Sequence, residues 1–265
     1  MATYLDRILA AHRETAAGDR RSVEDLREQA VAAGPGRGFA AALAAAEGLG
    51  VIAEVKRRSP SKGDLFADLD PEVVAGQYAA GGATCVSVLT DEAFFGGSVG
   101  DLVAARAAID IPVLRKDFTV GLVDVLDTRI MGADCVLLIA AALDDHELRD
   151  LHVAATEVGL DALVEVHDEP EIERALAVGA SLVGVNQRDL VTFQVDTARA
   201  ERVAPLMPEG VVRVAESGVA GPADAQRLLD AGYHAVLVGE SLVTSGDPTA
   251  ATAALRALRA GTATR

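Results

Sequence analysis

Glu54 and Lys56 stand two residues apart at the end of a run that is otherwise apolar, VIAEVK at 51–56. Side chains alternate faces along a strand, so this spacing places both on one face with Ile52, while Val51, Ala53 and Val55 form the other. A carboxylate and an ammonium are costly to bury unless paired or turned to a polar cavity, so the strand is expected to run up into a pocket and end at its mouth. Ser59-Pro60-Ser61 follows, a stiff turn whose hydroxyl and backbone N–H groups suit an anion. An ordinary salt bridge beside a polar loop would explain this segment if it stood alone. Other apolar runs, however, end in the same way: Arg115-Lys116-Asp117-Phe118, Glu165, Asn186-Gln187-Arg188, Glu216-Ser217-Gly218 and Gly239-Glu240-Ser241. Lysine and glutamate facing each other in one pocket can have their proton affinities set by burial and by one another, which is what acid–base chemistry needs.

The elements that would gather these groups are legible in a rhythm of short apolar runs at 51–56, 84–89, 112–116, 134–139, 161–166, 181–186, 211–215 and 235–239. Between them lie Ala/Leu-rich amphipathic stretches with Asp or Pro near their starts and Gly near their ends. Strict alternation implies a parallel sheet with right-handed crossovers, and eight units close into a (βα)8 barrel of about the usual length; an open doubly wound sheet is the alternative. Residues 1–48 are expected to form an N-terminal helical extension, with Tyr4, Leu5, Ile8 and Leu9 at helical spacing and Ser22 as an N-cap, leaving 49–265 as the barrel of a single domain. In a barrel the polar residues above all fall at the strands' carboxyl ends, on one rim. Ser217-Gly218 and Gly239-Glu240 then occupy the loops after strands 7 and 8, where barrels hold phosphate; glycine lets the backbone close on the anion, and the N–H of Glu240 contributes while its carboxylate points away.

Composition narrows the function classes. The chain has 265 residues, half of them hydrophobic, and a formal net charge of −16, which argues against nucleic acid as a partner. No run reaches the length of a membrane span and the start does not read as a secretory signal, so a cytoplasmic protein without membrane contact is expected. Cys85 and Cys135 sit in apolar runs and read as buried thiols, and no metal or other cofactor is expected.

Seven segments in order resemble indole-3-glycerol phosphate synthase over essentially the whole chain: AEVKRRSPS (53–61), VSVLTDEAFFGGS (86–98), PVLRKDF (112–118), LVEVHDE (163–169), GVNQRDL (184–190), AESG (215–218) and LVGES (237–241). The resemblance implies a lyase of tryptophan biosynthesis that closes a carboxyphenylamino-deoxyribulose phosphate to an indole with loss of carbon dioxide and water. It also implies roles: Lys116 as general acid, Glu165 as base in the dehydration, and Lys56 as the cation that grips the substrate carboxylate, with Glu54, Asn186, Arg188 and Glu216 around the ribulose chain. By the same resemblance Ser59, Ser217, Gly218, Gly239 and Glu240 bind the phosphate, and Pro60, Phe95, Phe118, Leu137, Leu190 and Phe193 line the aromatic-ring pocket. Glu240 stands where the family often has a small hydroxyl residue, and Gln187 fills a variable slot. Three cations, Lys56, Lys116 and Arg188, would meet the anionic substrate despite the acidic whole. The chain is expected to end too soon for a fused isomerase domain and to act as a monomer.

Competing readings remain at this level. Glu54, Lys56 and Glu216 could be an interior ion network, and the chain could be a repurposed or non-catalytic phosphate-binding barrel. A phosphoribosylanthranilate isomerase would need a Cys and Asp pair at strand ends, whereas Cys85 lies early in its run. Arg115 and Arg213 fall on the opposite strand face and read as structural. His167 and His234, near strand ends without a nucleophile, read as non-catalytic. Asp117 and Asp189 read as holding Lys116 and Arg188, and His12, His146 and His152 as surface residues. The segment 57–70, with Gly63 and several charges, is expected to be mobile and to order over the substrate. Its amide hydrogen exchange should slow when product is bound, and equal protection in both states would refute the expectation.

Overall fold

The computed structural model describes residues 3–59, 63–66 and 68–260; Pro60, Ser61 and the Ser59 side chain, named above for the anion-binding turn, lie outside the described residues. Eight parallel strands close into a barrel: β1 (Gly50–Val55), β2 (Cys85–Leu89), β3 (Val113–Lys116), β4 (Cys135–Ile139), β5 (Asp161–Val166), β6 (Leu182–Asn186), β7 (Val212–Glu216) and β8 (Ala235–Val238). Each pairs with its sequence neighbours, and β1 closes the ring by pairing with β8. The strands fall within a residue or two of the runs read from the sequence. The strands are Val/Leu-rich because both faces are covered, the inner by the barrel core and the outer by helices. Most crossover helices start at a side chain that accepts the first free backbone N–H groups, among them Asp70, Asp91, Ser98, Asp144, Asp168 and Asp247.

Register then decides which polar groups meet. Asn186 pairs with Glu216, Ile139 with Glu165, Glu165 with Gly184, and Leu89 with Lys116, so the inward residues at the carboxyl ends form one layer. A slip of one residue would turn them to the helix side.

Three helices precede the barrel: α1 (Tyr4–Gly18), α2 (Val23–Ala32) and α3 (Phe39–Ala44). Ser22 caps α2 by accepting the Asp25 N–H. α1 lies across the mouth formed by the strands' carboxyl ends. Its Tyr4 ring packs edge-on against Phe94 and Phe193, at 5.7 and 5.1 Å between centroids, while Arg13 forms an ion pair with Glu147 at 2.7 Å. The chain then crosses to the other end, where Phe39 and Leu43 are buried, the Arg37 N–H donates to Asp134, and Ala40 N–H donates to Asp161.

The extension is fastened by Arg129, a guanidinium only 1% exposed that donates to the carbonyls of Ala33, Gly34 and Ala133. Burial lowers its pKa, and the nearby Asp134 carboxylate works in the other direction. Arg129→Leu should leave those carbonyls without donors and reduce stability by about 3 kcal/mol. A urea unfolding midpoint shifted well below wild type is the expected readout.

Candidate active site

Lys116, the last residue of β3, projects into the barrel and meets two carboxylates: Nζ lies 3.3 Å from Glu165 Oε2 and 3.7 Å from Glu216 Oε2. Glu165 is the fifth residue of β5 and Glu216 the last of β7, and both are 1% exposed. Asn186, ending β6, donates to Glu165 Oε1 at 3.0 Å and accepts the Arg188 N–H through its own side-chain oxygen. On β1, Glu54 is 4% exposed and pairs with Lys56 at 2.6 Å, as their shared face requires. All six line one cavity of about 440 Å³ at the carboxyl end of the barrel.

Proton affinities in this cluster move in opposite directions. Burial disfavours the Lys116 ammonium, but Glu165, Glu216 and Glu54 outweigh it and raise its pKa. Burial also disfavours the Glu165 carboxylate, yet Lys116, His167 and the Asn186 hydrogen bond overcome the penalty and lower its pKa. Glu216 has the same burial without enough compensation. Desolvation and the Glu165 charge push it up to about 8, against the pull of Lys116. The environment thus favours charge on Lys116 and on Glu165 and disfavours it on Glu216, setting an acid and a base side by side. Glu216 Oε1 is buried without a hydrogen-bond partner, which fits a group whose charge is suppressed.

The room for Glu216 comes from Gly184 on β6, where an added Cβ would lie 2.2 Å from Glu216 Oε1. Gly239 gives similar room to Glu54, whose Oε1 would be 2.7 Å from a Cβ there.

The cavity wall divides into two chemistries. Phe95, Phe118, Leu137, Leu190 and Phe193 form an apolar side, with the Phe95 and Phe118 rings 6.1 Å apart. Ser217, Gly218, Gly239 and Glu240 also line the cavity. Ser217 and Gly218 have consecutive positive φ values of 66° and 74°, so the chain turns sharply after β7; a left-handed serine is unusual and is held by its surroundings. Arg188 also lines the cavity, and its guanidinium donates to the Phe193 carbonyl at 3.2 Å. The structure thus brings together every site residue named from the sequence except Ser59 and Pro60, whose contacts fall outside the described residues.

Some readings need correction. Asp117 does not hold Lys116: it accepts from Arg115 at 2.9 Å, from Thr90 and from the Phe118 N–H, because it points to the helix side while Lys116 points inward. Asp189 does not hold Arg188; it accepts the N–H groups of Val191 and Thr192 and closes its own turn. His12 is not a free surface residue. It meets Asp91 at 2.9 Å and packs on Phe118, so α1 touches the loops that carry the aromatic side of the cavity. Burial disfavours charge on His12, but Asp91 and Asp117 raise its pKa nonetheless. These three groups bring donor atoms within 4.8 Å of one another, as a metal site would. Their lone pairs are committed, however: Asp91 caps the Glu92–Phe95 turn and Asp117 serves Arg115. Arg115 and Arg213 are structural as expected, donating to Thr128 and to the Met207 carbonyl. His234 accepts the Arg213 N–H.

A closed (βα)8 barrel whose carboxyl-end rim gathers a Lys–Glu cluster, beside apolar residues and a glycine-containing turn, has the architecture of a barrel enzyme with its site at the strands' carboxyl ends. The comparisons with known proteins are specific. A family model described as indole-3-glycerol phosphate synthase matches residues 5–255. Proteins of that name from Nocardioides sp. and Streptomyces griseus are 60% and 52% identical to the chain over 203 and 246 residues, which is 77% and 93% of this chain and 78% and 91% of theirs. The relative of that name from Mycolicibacterium smegmatis is 50% identical over 96% of this chain and 94% of its own. The chain belongs to the indole-3-glycerol phosphate synthase family, carboxy-lyases of tryptophan biosynthesis. Among solved structures, a thiamine phosphate pyrophosphorylase from Pyrococcus furiosus superposes with a TM-score of 0.60 at 18% identity, covering 78% of this chain and 94% of its own, a likeness of fold.

Gly184→Ala should drive the Glu216 carboxylate out of its seat without unfolding the barrel. A fall in turnover of roughly 10- to 100-fold with an unchanged circular-dichroism melt is expected from steady-state kinetics.

Proposed function

We propose that the chain converts 1-(2-carboxyphenylamino)-1-deoxyribulose 5-phosphate to indole-3-glycerol phosphate with Lys116 as its principal acid. The observation that carries this is the Lys116 ammonium, held between the buried carboxylates of Glu165 and Glu216 on the cavity floor. In ring closure the ring carbon bearing the carboxylate attacks the ribulose carbonyl, and negative charge develops on the carbonyl oxygen. Lys116 supplies the proton there. Loss of carbon dioxide restores the ring, and the new hydroxyl must then leave as water. That second step needs an acid to protonate the hydroxyl and a base for the proton released as the indole double bond forms. Glu165 is the base, and the proton held by Glu216 can refill Lys116.

Substrate placement follows the two walls. The anthranilate ring lies against Phe95, Phe118, Leu137, Leu190 and Phe193 together with Pro60, while Ser59 joins the phosphate site. Its carboxylate meets Lys56, and Arg188 and Asn186 face the ribulose hydroxyls. The phosphate sits on the N–H groups of Ser217, Gly218, Gly239 and Glu240, an arrangement supported by the left-handed turn at Ser217-Gly218. Ring closure, loss of carbon dioxide and dehydration together are redox-neutral and need only proton donors and acceptors, so the reading asks for no redox cofactor. It includes a cytoplasmic monomer in which the 1–48 extension and the 49–265 barrel form one unit. Among the described residues no helix is long and apolar enough to cross a membrane.

The test is indole fluorescence from purified protein and substrate, beside Lys116→Ala. Wild type should turn over, and the variant should lose about 10²- to 10⁴-fold in kcat while still binding product. An active variant would remove Lys116 from its role. Folded wild type that binds product but forms no indole would leave a repurposed phosphate-binding barrel.

A further inference from the structure

His167 follows β5 directly, and its ring lies between two carboxylates. Nδ1 is 3.0 Å from Glu171 Oε2, and Nε2 is 3.7 Å from Glu165 Oε1. Part of this is the start of the Glu169–Ala177 helix: Glu171 Oε2 also accepts the His167 backbone N–H at 2.7 Å, and Asp168 caps the helix by accepting the Glu171 N–H. A helix start accounts for one ring nitrogen only. Nε2 is buried, has no hydrogen-bond partner, and faces the cavity's proposed base.

A neutral imidazole carries one N–H and one lone pair. Whichever nitrogen holds the proton, the other turns a lone pair toward a carboxylate, which is repulsive. The imidazolium alone presents N–H to both. The charged groups that act on the ring are Glu165 on β5, Glu171 at the helix start, and Arg199 on the Arg199–Val203 helix. Burial disfavours the charged ring and Arg199 adds to that, but Glu171 and Glu165 prevail and the pKa of His167 is raised. Lys116 engages Glu165 Oε2, whereas Asn186 and His167 address Oε1.

We propose that His167 is a positioning residue for the reaction: anchored as an imidazolium by Glu171, it holds Glu165 as a carboxylate from the side opposite Lys116, so that Glu165 is free to accept a proton during the dehydration. This deepens the reading above and rests on Glu165 as the base. His167 itself touches no reacting atom and transfers no proton.

Coupling between two sites is reciprocal, so the effect of Glu165 on the proton affinity of His167 equals the effect of His167 on Glu165. That permits a test without substrate. The chain has five histidines, so their ring Cε1–H resonances can be followed individually by NMR against pH, with His167→Gln identifying the one of interest. His167 should titrate above the ordinary value of about 6.5. Glu165→Gln and Glu171→Gln should each lower that midpoint by on the order of one pH unit. In single-turnover indole formation, His167→Gln should shift the acid limb to higher pH, because Glu165 would then protonate more readily. A midpoint at or below the ordinary value that does not move in Glu165→Gln would overturn the proposal. So would an acid limb in His167→Gln that coincides with wild type. Full turnover in Glu165→Gln would instead sink the assignment of Glu165 as base, an outcome separable from the titration.

Discussion

The site depends on one constraint: a single ammonium, that of Lys116, must stay charged on a cavity floor built largely from buried groups. Three carboxylates make this possible, Glu165 and Glu216 by direct approach and Glu54 from further away. The same carboxylates cannot all be ionised so close together in a poorly solvated space. The conflict resolves by separation of roles. Glu165, with Lys116 and Asn186 as donors, is favoured as the carboxylate, while Glu216, with an oxygen that finds no donor, is favoured as the acid. Acid and base are thereby assigned by environment rather than by residue type.

That environment is a product of strand parity and register. Lys116, Glu165, Asn186 and Glu216 come from four strands, and only their places at the carboxyl ends bring them into one layer. Gly184 matters for the same reason. It occupies the layer next to Glu165 with no side chain, and the Glu216 carboxylate fills the volume left. Residues of the opposite parity do different work at nearly the same positions: Arg115 and Asp117, flanking Lys116, pair with each other on the helix side.

Parity is also why so much was legible beforehand. A two-residue period needs no knowledge of the partner strand, so the inward set and the strands themselves could be read from 51–56, 112–116 and 211–215 alone. Groups whose meaning depends on a distant partner could not. His12 looks like one polar residue on an amphipathic helix until α1 is seen crossing the mouth to Asp91 and Phe118. His167 reads from the sequence as a strand-end histidine without a nucleophile, whereas Glu171, four residues on, and Glu165 on its own face make the ring a bridge. The motif LVEVHDE contains His167 and Glu165, but nothing in its spacing shows that the outer nitrogen is buried and unsatisfied. Asp117 shows the converse: it adjoins Lys116 in sequence, yet adjacent strand residues face apart, and it serves Arg115 instead.

The charge of the whole chain sharpens the point. A protein of net charge −16 repels a substrate that carries a phosphate and a carboxylate, so attraction must be confined to the pocket. Yet Lys56 is bound to Glu54, and Lys116 lies between two glutamates. Neither lysine offers its full charge. Arg188 differs, since its guanidinium meets a backbone carbonyl at Phe193 and keeps its charge available to the cavity. The protonated Glu216 contributes in the same direction by withholding a negative charge from the floor. Local neutrality at the acid–base cluster, with one less compensated cation at the rim, reconciles an acidic exterior with an anionic ligand. It does so with residues that the barrel already places at its carboxyl end.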